Sequence, residues 1–133
     1  MRTITLIILH CSATRTGHRL TFRQCQQDHI LHRGWKDIGY HYYIERDGRV
    51  YAGRKEQDIG AHCRYHNRHS IGICYEGGLD AEGHPADTRT PEQRSAMRAL
   101  VADLQRRFPR ALVVGHHTLD PQKACPCFAP EEL

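Results

Sequence analysis

The sequence predicts an α/β domain built on one mixed β-sheet flanked by helices, and three features carry that expectation. The chain opens on an almost unbroken apolar run (Ile4, Leu6, Ile7, Ile8, Leu9), as expected of a strand covered on both faces. Near its middle, two short strand-like runs flank Asp47-Gly48, a pair suited to an antiparallel hairpin turn. Towards its end, Thr90-Pro91-Glu92-Gln93 opens an amphipathic helix with a threonine cap, a proline in first position and a glutamine in third. At 133 residues the chain has room for one core but not two, so a single domain over 1–133 is expected.

Taken in order, the first strand is expected over Thr3 to His10. A helix follows from Thr21 to His32, with Phe22, Cys25, His29 and Ile30 as a ragged apolar face and Gly34 as its terminator. The hairpin occupies Tyr42 to Arg46 and Arg49 to Ala52, with positive φ expected in the Asp47-Gly48 pair. From Gly53 to Ser70 the chain is polar, histidine-rich and aperiodic, which predicts a long surface loop of the kind that often carries function. Ile71 to Tyr75 is a further strand, stopped at Gly77-Gly78, and Leu79 to Arg89 is loop. Met97, Leu100, Val101, Leu104 and Phe108 form the single stripe of the second helix and read as core. Leu112 to Gly115 is a last strand, which delivers His116 and His117. Beyond it, Pro121, Pro126 and Pro130 predict irregular chain.

Composition excludes several classes of protein. With 39% hydrophobic and 26% charged residues, the chain is not of the disordered type. No run approaches the roughly 18 apolar residues of a membrane span, so no membrane insertion is expected. The N-terminal apolar run is too short for a signal-peptide core and lacks an A-x-A cleavage site. The expectation is a protein made in the cytoplasm that reaches its target by phage-type release or another export route. A net charge of +4 suits an anionic polymer without choosing between cell wall and nucleic acid. Cys11, Cys25, Cys63 and Cys74 are read as buried thiols or at most one disulfide.

Three residues at element ends could share a metal ion. His10 closes the first strand, His116 follows the last, and Cys125 comes after a short loop. Two imidazoles and a thiolate suit zinc, which in catalytic sites takes three protein ligands and keeps a fourth position open. Strand alternation sends His10 and Cys11 to opposite faces, and likewise His116 and His117, so at most one of each pair would reach a common ion.

Five blocks add a resemblance: Ile8 to Thr14, Gly34 to His41, Arg46-Asp47-Gly48 with Gly53-Arg54, Asn67 to Gly72, and Lys123 to Pro126. In this order, and spread from residue 8 to 128, they resemble N-acetylmuramoyl-L-alanine amidases of the bacteriophage T7 lysozyme type, which share their fold with peptidoglycan recognition proteins. The resemblance implies zinc-dependent hydrolysis of the amide bond between N-acetylmuramic acid and L-alanine in bacterial peptidoglycan, with water activated by the metal attacking the lactyl carbonyl. It implies His10, His116 and Cys125 as Zn2+ ligands, Tyr40 and Lys123 as catalytic groups, and His62 and Asn67 as substrate-binding residues. Lys123 offers positive charge, and Tyr40 a hydroxyl donor, to a developing oxyanion.

The chain departs from that pattern at Cys127, a second thiol beside the third ligand, and at Ala129, where many relatives have aspartate. The family's C-terminal helix is expected to be short or absent. The implied partners are peptidoglycan or soluble muropeptides, acted on by a monomer. One competing reading is a non-catalytic peptidoglycan-binding module, but such relatives usually lack the cysteine that Cys125 supplies. A second is a binder of nucleic acid or RNA polymerase. The basic residues form no stripe interleaved with aromatics, so no nucleic acid is expected.

Overall fold

The computed structural model describes residues 2–133. The first strand, β1 (Leu6–Cys11), lies inside a five-stranded sheet. It pairs in parallel with β5 (Ser70–Tyr75) on one side and with β7 (Leu112–Gly115) on the other. Beyond β5 come β3 (Tyr42–Ile44), also parallel, and β4 (Val50–Ala52), antiparallel at the edge. The sheet is therefore mixed, with order β4-β3-β5-β1-β7, as expected from the sequence.

Alternation along the strands separates two cores. Ile7, Leu9 and Cys11 of β1 and Ile71, Ile73 and Tyr75 of β5 face helix α2 (Pro91–Arg107), where Met97, Val101 and Leu104 are buried against them. On the opposite face Tyr43 and Cys74 pack with Cys25 of helix α1 (Phe22–Leu31) and with Ile38. Both helices start on a complete capping box. Thr21 and Gln24 bond reciprocally in α1, as do Thr90 and Gln93 in α2, satisfying amide donors that the first turn leaves free. Gln93 does more than cap: buried, its side-chain amide donates to the carbonyls of Ile44, the last residue of β3, and of Glu76, the residue after β5.

Several expectations need correction. Strand β1 begins at Leu6 rather than Thr3 and runs one residue past His10, because its ladder partners start at Ser70 and Leu112. Ile30, assigned to the buried face of α1, is 39% exposed, and only Cys25 and His29 are buried there. In the hairpin only Gly48 takes positive φ, at 88°. The Gly48 amide donates to the Glu45 carbonyl and the Glu45 amide to that of Arg49, so Arg46-Asp47 are the central residues and Gly48 is a bulge. Strand β5 does end before Gly77-Gly78, but the stretch expected as loop from Leu79 begins in a strand: β6 (Gly78–Leu79) pairs with β2 (Thr14–Arg15) in a second, two-stranded sheet. Two-residue strands have no period to read. His116 and His117 lie in a short helix, α3 (His116–Leu119), so strand alternation does not separate them. All six cysteines are free, and Cys11, Cys25, Cys63 and Cys74 are buried. Among the described residues, no helix is long and apolar enough to cross a membrane.

Candidate active site: a cleft over the ends of the parallel strands

A cleft of about 1140 Å³ opens where β1 and β7 end, and all seven residues singled out from the sequence line it: His10, Tyr40, His62, Asn67, His116, Lys123 and Cys125. Topology explains the convergence. Parallel neighbours β5, β1 and β7 point their carboxyl ends the same way, and open α/β sheets bind ligands at that edge. Helix α3 then turns the chain back, and the amide of His117 donates to the carbonyl of Cys125 at 2.8 Å, fixing the segment that carries the cysteine.

His10, His116 and Cys125 each present one ligand atom, and these atoms all lie within 4.8 Å of one another. His10 Nδ1 is 3.8 Å from Cys125 Sγ. Two ligands of a tetrahedral zinc, at bond lengths of about 2.0 Å to nitrogen and 2.3 Å to sulfur, stand about 3.5 Å apart. The donor set and its spacing therefore fit such an ion. Burial holds the His10 imidazole well below its usual pKa, with His62 and His116 adding to the effect. Burial and then the positive charge of Lys123 lower that of His116. Both rings are neutral at pH 7 and have lone pairs to offer. The backbone amide of Cys11 donates to Cys125 Sγ at 3.1 Å, which fixes where the sulfur sits. Cys11 itself faces the α2 core, so of that pair only His10 reaches the cluster.

Tyr40 stands just before β3, its ring 5.2 Å from that of His10 and 5.8 Å from that of His29, which is buried in α1. Burial, followed by the thiols of Cys74, Cys25 and Cys125, pushes the Tyr40 phenol well above its usual pKa, so it is a hydroxyl donor at any working pH. Lys123 is exposed at the rim, its backbone amide donating to Asp120. Cys127 does not join the cluster of ligand atoms. Its Sγ instead lies 3.8 Å from that of Cys11.

The long loop is not wholly at the surface. Gly60 and Cys63 are buried, and the His62 ring lies against β5. His62 Nδ1 is 2.9 Å from His10 Nε2. Asn67 Oδ1 accepts from the amides of His62 and Cys63, both at 2.9 Å, so that oxygen holds the loop. The sequence reading missed Ser70, 3.3 Å from His62 Nε2, and Gly72, beneath the His62 ring. Both stand in the Asn67 to Gly72 block, but a serine and a glycine in an apolar strand announce no role alone. Trp35 and Arg33, at the cleft wall, were likewise not singled out.

A single α/β domain with two histidines and a thiol converging below an open cleft has the layout of a metal-dependent hydrolase. A family model for N-acetylmuramoyl-L-alanine amidase matches residues 1–128. The chain belongs to that amidase family and is an enzyme of its class. It is 42% identical over 120 residues to an endolysin of Enterobacteria phage K11, covering 90% of this chain and 78% of that one. Among solved structures, N-acetylmuramoyl-L-alanine amidase LysC from Clostridium intestinale URNW superposes with a TM-score of 0.80 at 28% identity, covering 94% of this chain and 77% of that one. A point mutant of Drosophila PGRP-LB in complex with tracheal cytotoxin gives 0.80 at 27% identity, covering 95% and 76%.

Proposed function

We propose that the chain hydrolyses the amide bond between N-acetylmuramic acid and L-alanine in peptidoglycan or its soluble muropeptides, using zinc held by His10, His116 and Cys125. The observation that carries this reading is the convergence of those three ligand atoms within 4.8 Å in a cleft that also holds Tyr40 and Lys123. When bound, zinc would supply a Lewis acid that polarises a carbonyl and makes water acidic enough to attack near neutral pH.

The chain's own groups account for the rest. The neutral rings of His10 and His116 give lone pairs, and the Cys11 amide holds the Cys125 sulfur in place. The Lys123 ammonium meets negative charge as it builds on the lactyl oxygen, and the Tyr40 hydroxyl donates to the same region. The oxygen of water joins the carbonyl carbon, a proton of that water passes to the amide nitrogen as the C–N bond breaks, and the products are a lactyl carboxyl group and L-alanine with a free amine. The cleft lies over the carboxyl ends of the parallel strands β1 and β7. A non-catalytic binding module gains no support, since it has no need of the cysteine that completes the cluster.

Metal and donor roles separate by substitution. Cys125→Ser is expected to lose zinc and activity together, because a hydroxyl is a poor replacement for thiolate. Tyr40→Phe and Lys123→Ala are expected to keep one zinc per chain and the parental fold while losing about a hundredfold in rate. Zinc content and initial rate on purified peptidoglycan are the measurements. Parental rates in both donor variants would refute the mechanism even with zinc in place.

A further inference from the structure

The two nitrogens of His10 face different neighbours. Nδ1 looks toward Cys125 Sγ at 3.8 Å, on the side where the three ligand atoms meet, and Nε2 is 2.9 Å from His62 Nδ1. A ring nitrogen that ligates a metal gives its lone pair, so the ring proton sits on the other nitrogen, and the partner of that proton fixes the ring. His10 would thus carry its proton on Nε2 and donate it to His62 Nδ1. His62 must then keep its own proton on Nε2, where Ser70 Oγ at 3.3 Å can accept it.

The placement of His62 is built. Ser70, Gly72 and Cys74 alternate onto the same sheet face as His10, which pairs with Cys74. A Cβ on Gly72 would come within 2.6 Å of His62 Cδ2 and Cγ, and one on Gly60 within 2.7 Å of Cδ2. Two glycines thus make room for the ring, and Asn67 Oδ1 fixes the backbone at its base through the His62 and Cys63 amides. The resemblance put both His62 and Asn67 on the substrate. The geometry instead commits His62 Nδ1 to His10 and Asn67 Oδ1 to the loop.

We propose that His62 is a positioning residue that holds His10 with Nδ1 turned to the metal, and that Ser70 and Asn67 in turn hold His62. The inference rests on the metal-centre reading above, and zinc affinity tests it without recourse to catalysis.

Asparagine can place its side-chain oxygen near the Nδ1 position of histidine, whereas the glutamine head group replaces Nε2 and reaches toward Ser70. Apo-protein titrated with Zn2+ against a chromophoric chelator is therefore expected to bind about 10- to 100-fold more weakly in His62→Ala and His62→Gln. In His62→Asn the affinity is expected to stay within about threefold of the parent, and in Ser70→Ala to fall by less than in His62→Ala. Thermal melting of each apo variant reports folding separately. Parental zinc affinity in both His62→Ala and His62→Gln would overturn the proposal, as would equal weakening in His62→Asn and His62→Gln. Should His62→Ala fail to fold, the asparagine and glutamine pair still decides. A parent that binds no zinc would bring down the metal-centre reading itself, a result distinct from parent and variants binding alike.

Discussion

Replacing Glu76 with alanine is expected to cost more stability than any exposed substitution, because its carboxylate anchors two loops to the end of β5. The side chain is fully buried and accepts four hydrogen bonds. Arg19 Nε donates at 2.7 Å and Arg19 Nη2 at 3.2 Å, while the amides of Leu20 and Arg46 donate at 2.8 and 3.0 Å. The Arg19 side chain is 53% exposed and turns back to water when released, so the ion pair contributes little net free energy. The two amides are part-buried, and each left without a partner costs about 1–3 kcal/mol. Glu76→Ala should therefore cost roughly 4 kcal/mol. Total stability for a chain of this length is of the order of 7–20 kcal/mol. At about 3–5 °C per kcal/mol, the melting temperature should fall by roughly 12–20 °C. Glu76→Gln keeps the shape and one acceptor oxygen, and should lose about half as much. Thermal melting by circular dichroism makes the comparison. A fall under about 3 °C in Glu76→Ala would show that water serves both amides and that the carboxylate does not anchor the loops.

Three further outcomes follow from the same contacts. Met97→Ala, at a fully buried position between α2 and the sheet, should cost about 2–5 kcal/mol in denaturant titration, and a loss below about 1 kcal/mol would mean that the core closes over the gap. Gly72→Ala should force the His62 ring off β5 and lower the melting temperature by the equivalent of about 1–3 kcal/mol; an unchanged melt would contradict the close approach. Arg107, bonded through two nitrogens to Glu56, holds that carboxyl below its usual pKa. A depressed carboxyl stabilises the fold above its unfolded pKa, and that stability is lost as pH falls through the folded value. Parent and Arg107→Gln should thus differ by about 0.5–1 kcal/mol at pH 7 and draw together as pH falls below the usual carboxylate range, as urea titrations across that range would report.

Elements with their own physical signature were legible from the sequence. The cap at Thr90, the stripe from Met97 to Leu104 and the strand Leu112–Gly115 rest on local rules, and they stand where expected. With eleven histidines and six cysteines in the chain, scarcity did not single out His10, His116 and Cys125; their places at element ends suggested them, the resemblance chose them, and the fold brings their ligand atoms together. What escaped was set by tertiary contact. The pairing of β2 with β6 involves two residues on each side, and the helical turn at His116 follows from the Cys125 segment folding back. The loop from Gly53 to Ser70 showed its polarity but not its inward half, because only the assembled sheet shows that Gly60 and Gly72 leave room for the His62 ring. Ser70 had no signal as a partner of His62, being one hydroxyl at the start of an apolar strand.

Which bond the protein cuts is read from its products. Purified peptidoglycan digested with the zinc-loaded protein should release soluble stem peptide bearing new free amino groups on L-alanine, with no new reducing sugar ends. Removing the metal with a chelator should abolish the release, and adding zinc back should restore it. New reducing ends without new amino groups, or full release in the presence of the chelator, would contradict the account.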